Sequence, residues 1–257
     1  MFSEFGVILA AYKKALNPDW SGFESDLLDI RQVFQRCDNS IHKARNEIKL
    51  LECADAVLVI KSFKVPGLLR SVIYSFFRQS KARRSYDYSL LLADFAPKPV
   101  GYIEFYQNGL LRDSYYVSEN FDYDFTIRQP LSEKGFEGRE NVFAAFAKFT
   151  CQLHENNICH QDYSPGNILV RQCGDDYEFK IVDVNRMRFM HMSVEQRAAN
   201  LCRLGDSAKD IELIAGFYAQ AIGTDKDAFT RLALQHFHKH KSERARKRRL
   251  KNLLGLG

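Results

Sequence analysis

Cys159 to Asn185 reads CHQDYSPGNILVRQCGDDYEFKIVDVN. It holds a His-x-Asp pair (His160, Asp162), then Asn167, and closes near a second acid, Asp183. The apolar run Asn167-Ile168-Leu169-Val170 is followed by a turn signal, Gly174-Asp175-Asp176, and a returning run, Phe179-Lys180-Ile181-Val182. That pattern predicts a two-strand hairpin. A hairpin brings its ends together, so Asn167 and Asp183 can face one cation although they are far apart in sequence. Magnesium takes oxygen ligands in an octahedron and usually shares them with substrate phosphates. The stretch is therefore a candidate phosphoryl-transfer site.

Upstream of it, Val57-Leu58-Val59-Ile60 predicts a buried strand that ends on Lys61, and Asp55-Ala56 reads as the turn before it. A cation fixed at a strand end suits contact with phosphate oxygens. Two short strands are expected between Val33 and Leu51, around Asp38-Asn39-Ser40. Ser80 to Phe95, SKARRSYDYSLLLADF, has helical composition, with Tyr86, Leu90 and Leu91 on neighbouring turns and Pro97 and Pro99 as stops. Val100–Glu104 and Ser114–Ser118 read as two more strands around a Gln107-Asn108-Gly109 turn, and Ser118-Glu119-Asn120 as a hinge. Glu140 to Glu155 predicts a strong helix with the stripe Val142, Phe143, Phe146, Phe149, Leu153. Further helices are expected at Val194–Leu204, Ser207–Ala221 and Asp227–Phe237, broken at Gly205 and Gly223. Strands come first and helices later. This order predicts an α+β chain with two lobes, residues 1–119 sheet-rich and residues 120–257 mainly helical.

Taken together, Lys61, the helix after it, His160-x-Asp162-x4-Asn167 and Asp183 resemble the protein-kinase-like superfamily in kind and order. Within it, SKARRSY, the Ser164-Pro165-Gly166-Asn167 loop and VDVNRMRF look most like the bacterial lipopolysaccharide kinases that phosphorylate Kdo or heptose sugars. The resemblance covers most of the chain. It implies a bilobal kinase-like fold, with a small antiparallel sheet and a C helix in the N-lobe. It also implies ATP and Mg2+ as cofactors, and transfer of the γ-phosphate to a sugar hydroxyl of the lipopolysaccharide inner core. Carried over residue by residue, Asp162 orients or accepts the hydroxyl proton, Asn167 and Asp183 hold magnesium, Lys61 clamps phosphates and His160 braces the loop. Asp87 on the C helix is the acid available to pair with Lys61, and Glu119 lies in the hinge on the nucleotide side.

Three departures qualify the match. Ser40 to Lys49, SIHKARNEIK, contains no glycine, so phosphate cover falls to side chains such as Asn39, Ser40, His42 and Lys43. Asn185 stands where protein kinases carry the Gly that lets the metal loop flip; Asn enters left-handed conformations less freely, which predicts a less switchable loop. Ser164 replaces the Lys common in protein kinases, no Ala-Pro-Glu motif follows, and little chain separates Asp183 from the helix near Val194. A small or lipid-linked acceptor is favoured over a protein.

Charge and cysteines bound the remaining classes. The net charge of +5 is concentrated between Lys239 and Lys251, where eight Lys or Arg face Glu243 alone. Without that segment the chain is slightly acidic. A basic tail ending in Leu250, Leu253, Leu254 and Leu256 suits an anionic membrane surface. No reader motif or aromatic interleaving accompanies the charge, so nucleic acid is disfavoured. The six cysteines show no CxxC pairing and read as reduced thiols, and no apolar stretch approaches the ~18 residues of a spanning helix. The expectation is a cytoplasmic protein, peripheral at the inner membrane. The missing glycine loop keeps a second class open, a pseudokinase-type nucleotide-binding module, beside other small-molecule or atypical protein kinases.

Overall fold

The computed structural model describes residues 11–43, 46–53, 56–63, 67–205 and 207–253. The chain divides into two compact units, Met1–Phe121 and Asp122–Gly257.

The first unit runs β1 (Tyr12–Leu16), α1 (Glu24–Leu28), α2 (Ile30–Arg36), β2 (Ser40–Lys43), β3 (Asn46–Glu52), β4 (Val57–Phe63), α3 (Leu68–Phe76), α4 (Lys81–Leu92), β5 (Pro99–Gln107) and β6 (Leu110–Glu119). Its strands form one antiparallel sheet in the order β1-β5-β6-β4-β3-β2. β4 sits inside the sheet because it is apolar and pairs on both edges. Strand alternation sends its side chains to two faces. Leu58 and Ile60 join Phe23, Leu27, Ile30 and Phe34 on one face, while Phe63 joins Tyr102 and Tyr116 and meets Ala82 and Tyr86 of α4 on the other. Lys61 shares the α4 face with Phe63. The β5–β6 connection is an Asn-Gly turn with φ of +50° at Asn108 and +74° at Gly109, the sign at both central residues that a tight hairpin requires.

Two expectations are corrected in this unit. Val33 to Arg36 is the end of a helix rather than a strand, because Ile30 and Phe34 stack one turn apart against the sheet. The strand pair consequently starts at Ser40, and its two members flank residues 44–45 rather than Asp38–Ser40. On α4 the buried stripe is Ala82, Ser85, Tyr86, Ser89 and Leu92, whereas Leu90 and Leu91 are exposed. The phase is set by Tyr86 against Tyr102 and by a 2.8 Å hydrogen bond between the hydroxyls of Ser89 and Tyr116. Ser80 starts the helix by accepting from the Arg83 N–H at 3.1 Å. The expected Asp55-Ala56 turn falls partly outside the described residues.

The second unit runs β7 (Phe125–Thr126), α5 (Arg128–Ser132), α6 (Arg139–Glu155), β8 (Ile158–His160), β9 (Ile168–Cys173), β10 (Asp176–Ile181), β11 (Met187–Phe189), α7 (Val194–Leu201), α8 (Ala208–Ala221) and α9 (Lys226–Leu253). β9 and β10 form the hairpin expected from sequence, turning at Gly174 with φ +65°. The predicted stripe of α6 is buried at every position, and Phe149 stacks on Phe179 of β10 at 5.1 Å. Tyr218 of α8 stacks on Phe229 of α9 at 5.1 Å. The predicted helix at Asp227–Phe237 and the basic tail are one continuous helix, α9, whose packed face is Phe229, Ala233 and Phe237.

Candidate active site

The hairpin and a short strand pair gather the acidic residues in the second unit. β8 pairs antiparallel with β11, His160 opposite Met187, and the Gln161 N–H donates to Arg186 O at 2.9 Å. On the hairpin side the Val182 N–H donates to Asn167 O at 2.9 Å. The loop holding Asp162 and the loop holding Asp183 are thus stitched together at both ends.

His160 makes the central stitch. It is 1% exposed; its Nε2 lies 3.0 Å from Val182 O, and its Nδ1 accepts from the Asp162 N–H at 3.0 Å. A carbonyl on one side and an N–H on the other fix the neutral tautomer with the proton on Nε2. Burial lowers its pKa, so the ring stays neutral. Asn167 donates its Nδ2 to Asp162 O at 2.9 Å, which turns Oδ1 the other way. Asp183 adopts a left-handed conformation, φ +57°, which Asp tolerates better than most side chains. Asn185, 5% exposed, donates Nδ2 to Asp183 Oδ1 at 2.6 Å. In that loop the left-handed residue is Asp183, and Asn185 restrains it through a side-chain hydrogen bond rather than through its own backbone.

Asp162 keeps a partly exposed carboxylate whose Oδ2 lies 3.9 Å from Arg186 Nη1. The loop beneath it is supported by residues that carry no motif. Tyr163 is buried and bonds Thr150 of α6 at 2.8 Å. Asn200 of α7 donates to His160 O at 3.1 Å, and Arg203 donates to Gln161 O at 2.6 Å. Behind Asn200 stands His154, 1% exposed, with Nε2 3.1 Å from Asn200 Oδ1 and Nδ1 2.8 Å from the Tyr218 hydroxyl. Burial lowers the His154 pKa to about 4. Gly166 runs so close to Arg128 that an added Cβ would meet its guanidinium at 2.6 Å. Sequence reading passed over Asn200, Arg186, Arg203 and Arg128, which belong to no local motif.

In the first unit, Lys61 lies opposite Ile48 of β3 and Tyr116 of β6, with Nζ 5.4 Å from the Phe63 ring centre. Asp87 is on the α4 turn after Arg83 and pairs with it at 3.5 Å. Asn39 and Ser40 are exposed at the start of β2. Glu119 accepts from the Trp20 indole N–H at 3.2 Å and donates its own N–H to Lys98 O at 2.9 Å. Its remaining backbone group is the carbonyl.

Asn167 and Asp183 carry oxygen donors of the kind magnesium takes, and would hold such a cation together with a substrate's phosphate oxygens. Among the described residues no three His, Cys, Asp or Glu gather as a metal-binding group.

A Lys on the central strand of a sheet packed by a helix, with a His-x-Asp loop and an Asp loop stitched across a hairpin, defines the protein-kinase-like class. The lipopolysaccharide kinase (Kdo/WaaP) family model matches residues 96–240, more than half of the chain, and the chain belongs to that family. It is thus a kinase of lipopolysaccharide core. Among solved structures, "WaaP in complex with acyl carrier protein" superposes with a TM-score of 0.54 at 15% identity, over 90% of this chain and 98% of that one. Comparison with curated proteins gives no significant sequence match.

Proposed function

We propose that the chain transfers the γ-phosphate of ATP, with Mg2+, to a Kdo or heptose hydroxyl of the lipopolysaccharide inner core, at the cytoplasmic face of the inner membrane. The observation that carries this reading is His160, whose ring spans Val182 O and the Asp162 N–H and so ties the two acidic loops into one constellation. In the reaction the sugar oxygen forms a bond to the γ-phosphorus as the bond from that phosphorus to the β,γ-bridging oxygen breaks, and ADP leaves. The hydroxyl proton passes to an Asp162 carboxylate oxygen. Arg186, 3.9 Å from that carboxylate, sets a positive charge beside the reacting oxygen. Asn167 and Asp183 hold the cation, which when bound neutralises phosphate charge. Lys61 contacts the phosphates, and Asp87 on α4 steadies it. Glu119 offers its carbonyl to the nucleotide, while Asn39 and Ser40 cover the phosphates in place of a glycine loop. Positioning and charge neutralisation supply most of the rate in phosphoryl transfer, so this short set of groups is enough.

The acceptor assignment rests on family membership and on Ser164 and the short segment after Asp183, which suit a sugar better than a peptide. The test is incubation with labelled ATP, magnesium and a panel of acceptors: Kdo-containing lipid A, heptosylated core, an aminoglycoside and a protein. Label is expected on a core sugar. Asp162→Ala and Asp183→Ala should each lower transfer by about 100- to 10,000-fold. Wild-type transfer by either variant, or label on protein alone, sinks the assignment.

A further inference from the structure

Helix α3 is built inside out. Its protein-facing side carries hydroxyls: Ser71, 4% exposed, donates to Leu111 O at 2.6 Å, and the Leu111 N–H donates to Ser75 Oγ at 2.8 Å. Ser75 also donates to Ser71 O at 2.7 Å. These bonds satisfy polar groups on the packed side, so the helix is anchored through its polar residues. The opposite side is apolar and exposed: Leu69 at 76%, Ile73 at 39% and Phe76 at 67%, at the i, i+4, i+7 spacing of one stripe, followed by Phe77 at 82%. A contiguous apolar surface of this kind is uncommon on a protein that meets only water.

The surrounding charge says which apolar medium fits. From Gly67 to Lys81, the segment that carries the stripe, the sequence holds Arg70, Arg78 and Lys81 and no Asp or Glu. Among them Arg78, directly after the stripe, is exposed. An amphipathic helix with aromatic and leucine side chains beside cations lies in the plane of an anionic lipid surface, its apolar side at the headgroup–acyl boundary.

We propose that α3 is an interfacial docking helix, with Leu69, Ile73, Phe76 and Phe77 seated in the outer acyl layer of an anionic bilayer. This places a membrane contact in the first unit, separate from the basic C-terminal segment. It needs neither nucleotide nor sugar, so it stands or falls independently of the reaction assigned above. Among the described residues no helix is long and apolar enough to cross a membrane, and α3 accordingly lies on the surface rather than through it.

The test uses the full chain and vesicles of about three parts phosphatidylethanolamine to one part phosphatidylglycerol, with and without acyl-chain-brominated lipid. In Phe77→Trp, the introduced indole should be quenched by brominated lipid beyond the baseline set by Trp20, the single tryptophan of the sequence. The variant Leu69→Ser/Phe76→Ser/Phe77→Ser should bind vesicles at least about tenfold more weakly while keeping its thermal midpoint, because the side chains removed are solvent-exposed. Vesicle-bound Phe77→Trp without quenching overturns the proposal, as does unchanged binding of the triple variant. If light scattering without lipid shows the wild type associating and the triple variant monomeric, the stripe is a self-interface instead. Binding of a soluble acidic protein that the triple variant loses, with no partition into vesicles, equally overturns it.

Discussion

His154 joins three helices through one buried ring, and its chemistry makes a prediction about stability. In the folded chain it accepts the Tyr218 hydroxyl proton at Nδ1 and donates from Nε2 to Asn200, which leaves no place for a second proton. Its pKa falls to about 4 from an ordinary 6.5, mainly through burial and further through Arg197. The unfolded chain therefore takes up this proton first as pH falls. The stabilisation present above about pH 6.5 is lost as pH drops toward 4, and amounts to about 3 kcal/mol. Burial lowers His160 in the same direction and steepens the loss. Urea midpoints at pH 7, 5.5 and 4.5 should fall less steeply for His154→Gln than for the wild type. Coincident slopes would show that His154 is not the titrating group. Asn185 makes a second prediction at this scale. By holding Asp183 Oδ1 it orients the carboxylate proposed to hold magnesium, so Asn185→Ala should raise the magnesium concentration for half-maximal transfer by about 10- to 100-fold. An unchanged magnesium titration would assign Asn185 a purely structural role.

At the scale of elements, β5 depends on a residue without a side chain. Gly101 faces Leu16 of β1, and a Cβ there would come within 2.9 Å of Ala15 O and 3.1 Å of a Leu27 methyl. The first obstacle is backbone, which cannot swing aside as a side-chain tip can. Gly101→Ala should destabilise the chain by about 1–3 kcal/mol, read as a lower denaturation midpoint; an unchanged midpoint would mean that β1 yields freely. Which elements were legible follows from where their signals sit. The Asn108-Gly109 and Gly174-Asp175 hairpins, β4 with Lys61, and the stripe of α6 are each encoded within a dozen or so residues, and sequence places them where they occur. Three features escape local reading. Ile30 to Arg36 has too few turns to declare a period. The α4 phase is settled by Ser89 meeting Tyr116 on a distant strand, so the leucines face outward. The β8–β11 pair spans the whole hairpin, and only it explains how Gln161 reaches Arg186. For the candidate site, Lys61, Asp162, Asn167 and Asp183 could be picked out by spacing. Asn200, Arg203 and His154 could not, because their partners are backbone carbonyls and hydroxyls that leave no pattern in the chain.

Across the whole molecule the charge is distributed unevenly, and the C-terminal half of α9 holds most of the excess. Residues 244–257 contain six Lys or Arg and no acid, so their removal takes the net charge from +5 to −1. The packed face of α9 ends at Phe237, and beyond Glu243 every described side chain is exposed, including Leu250 at 51% and Leu253 at 83%. The described side chains from Ala245 to Leu253 are exposed and stabilise nothing through packing, and the cations from Arg246 to Arg249 face solvent, where an anionic partner can meet them. Each Lys or Arg close to such a surface contributes about 1 kcal/mol at low salt and less as the Debye length shrinks. Deleting residues 244–257 should therefore weaken binding to phosphatidylglycerol-containing vesicles at least about tenfold and flatten its salt dependence. The thermal midpoint should hold, and the indole introduced by Phe77→Trp should still be quenched in whatever protein remains bound, since α3 belongs to the other unit. Vesicle binding that survives the deletion unchanged, or a thermal midpoint that falls by several degrees, would show that the basic half of α9 packs against the fold and does not meet lipid.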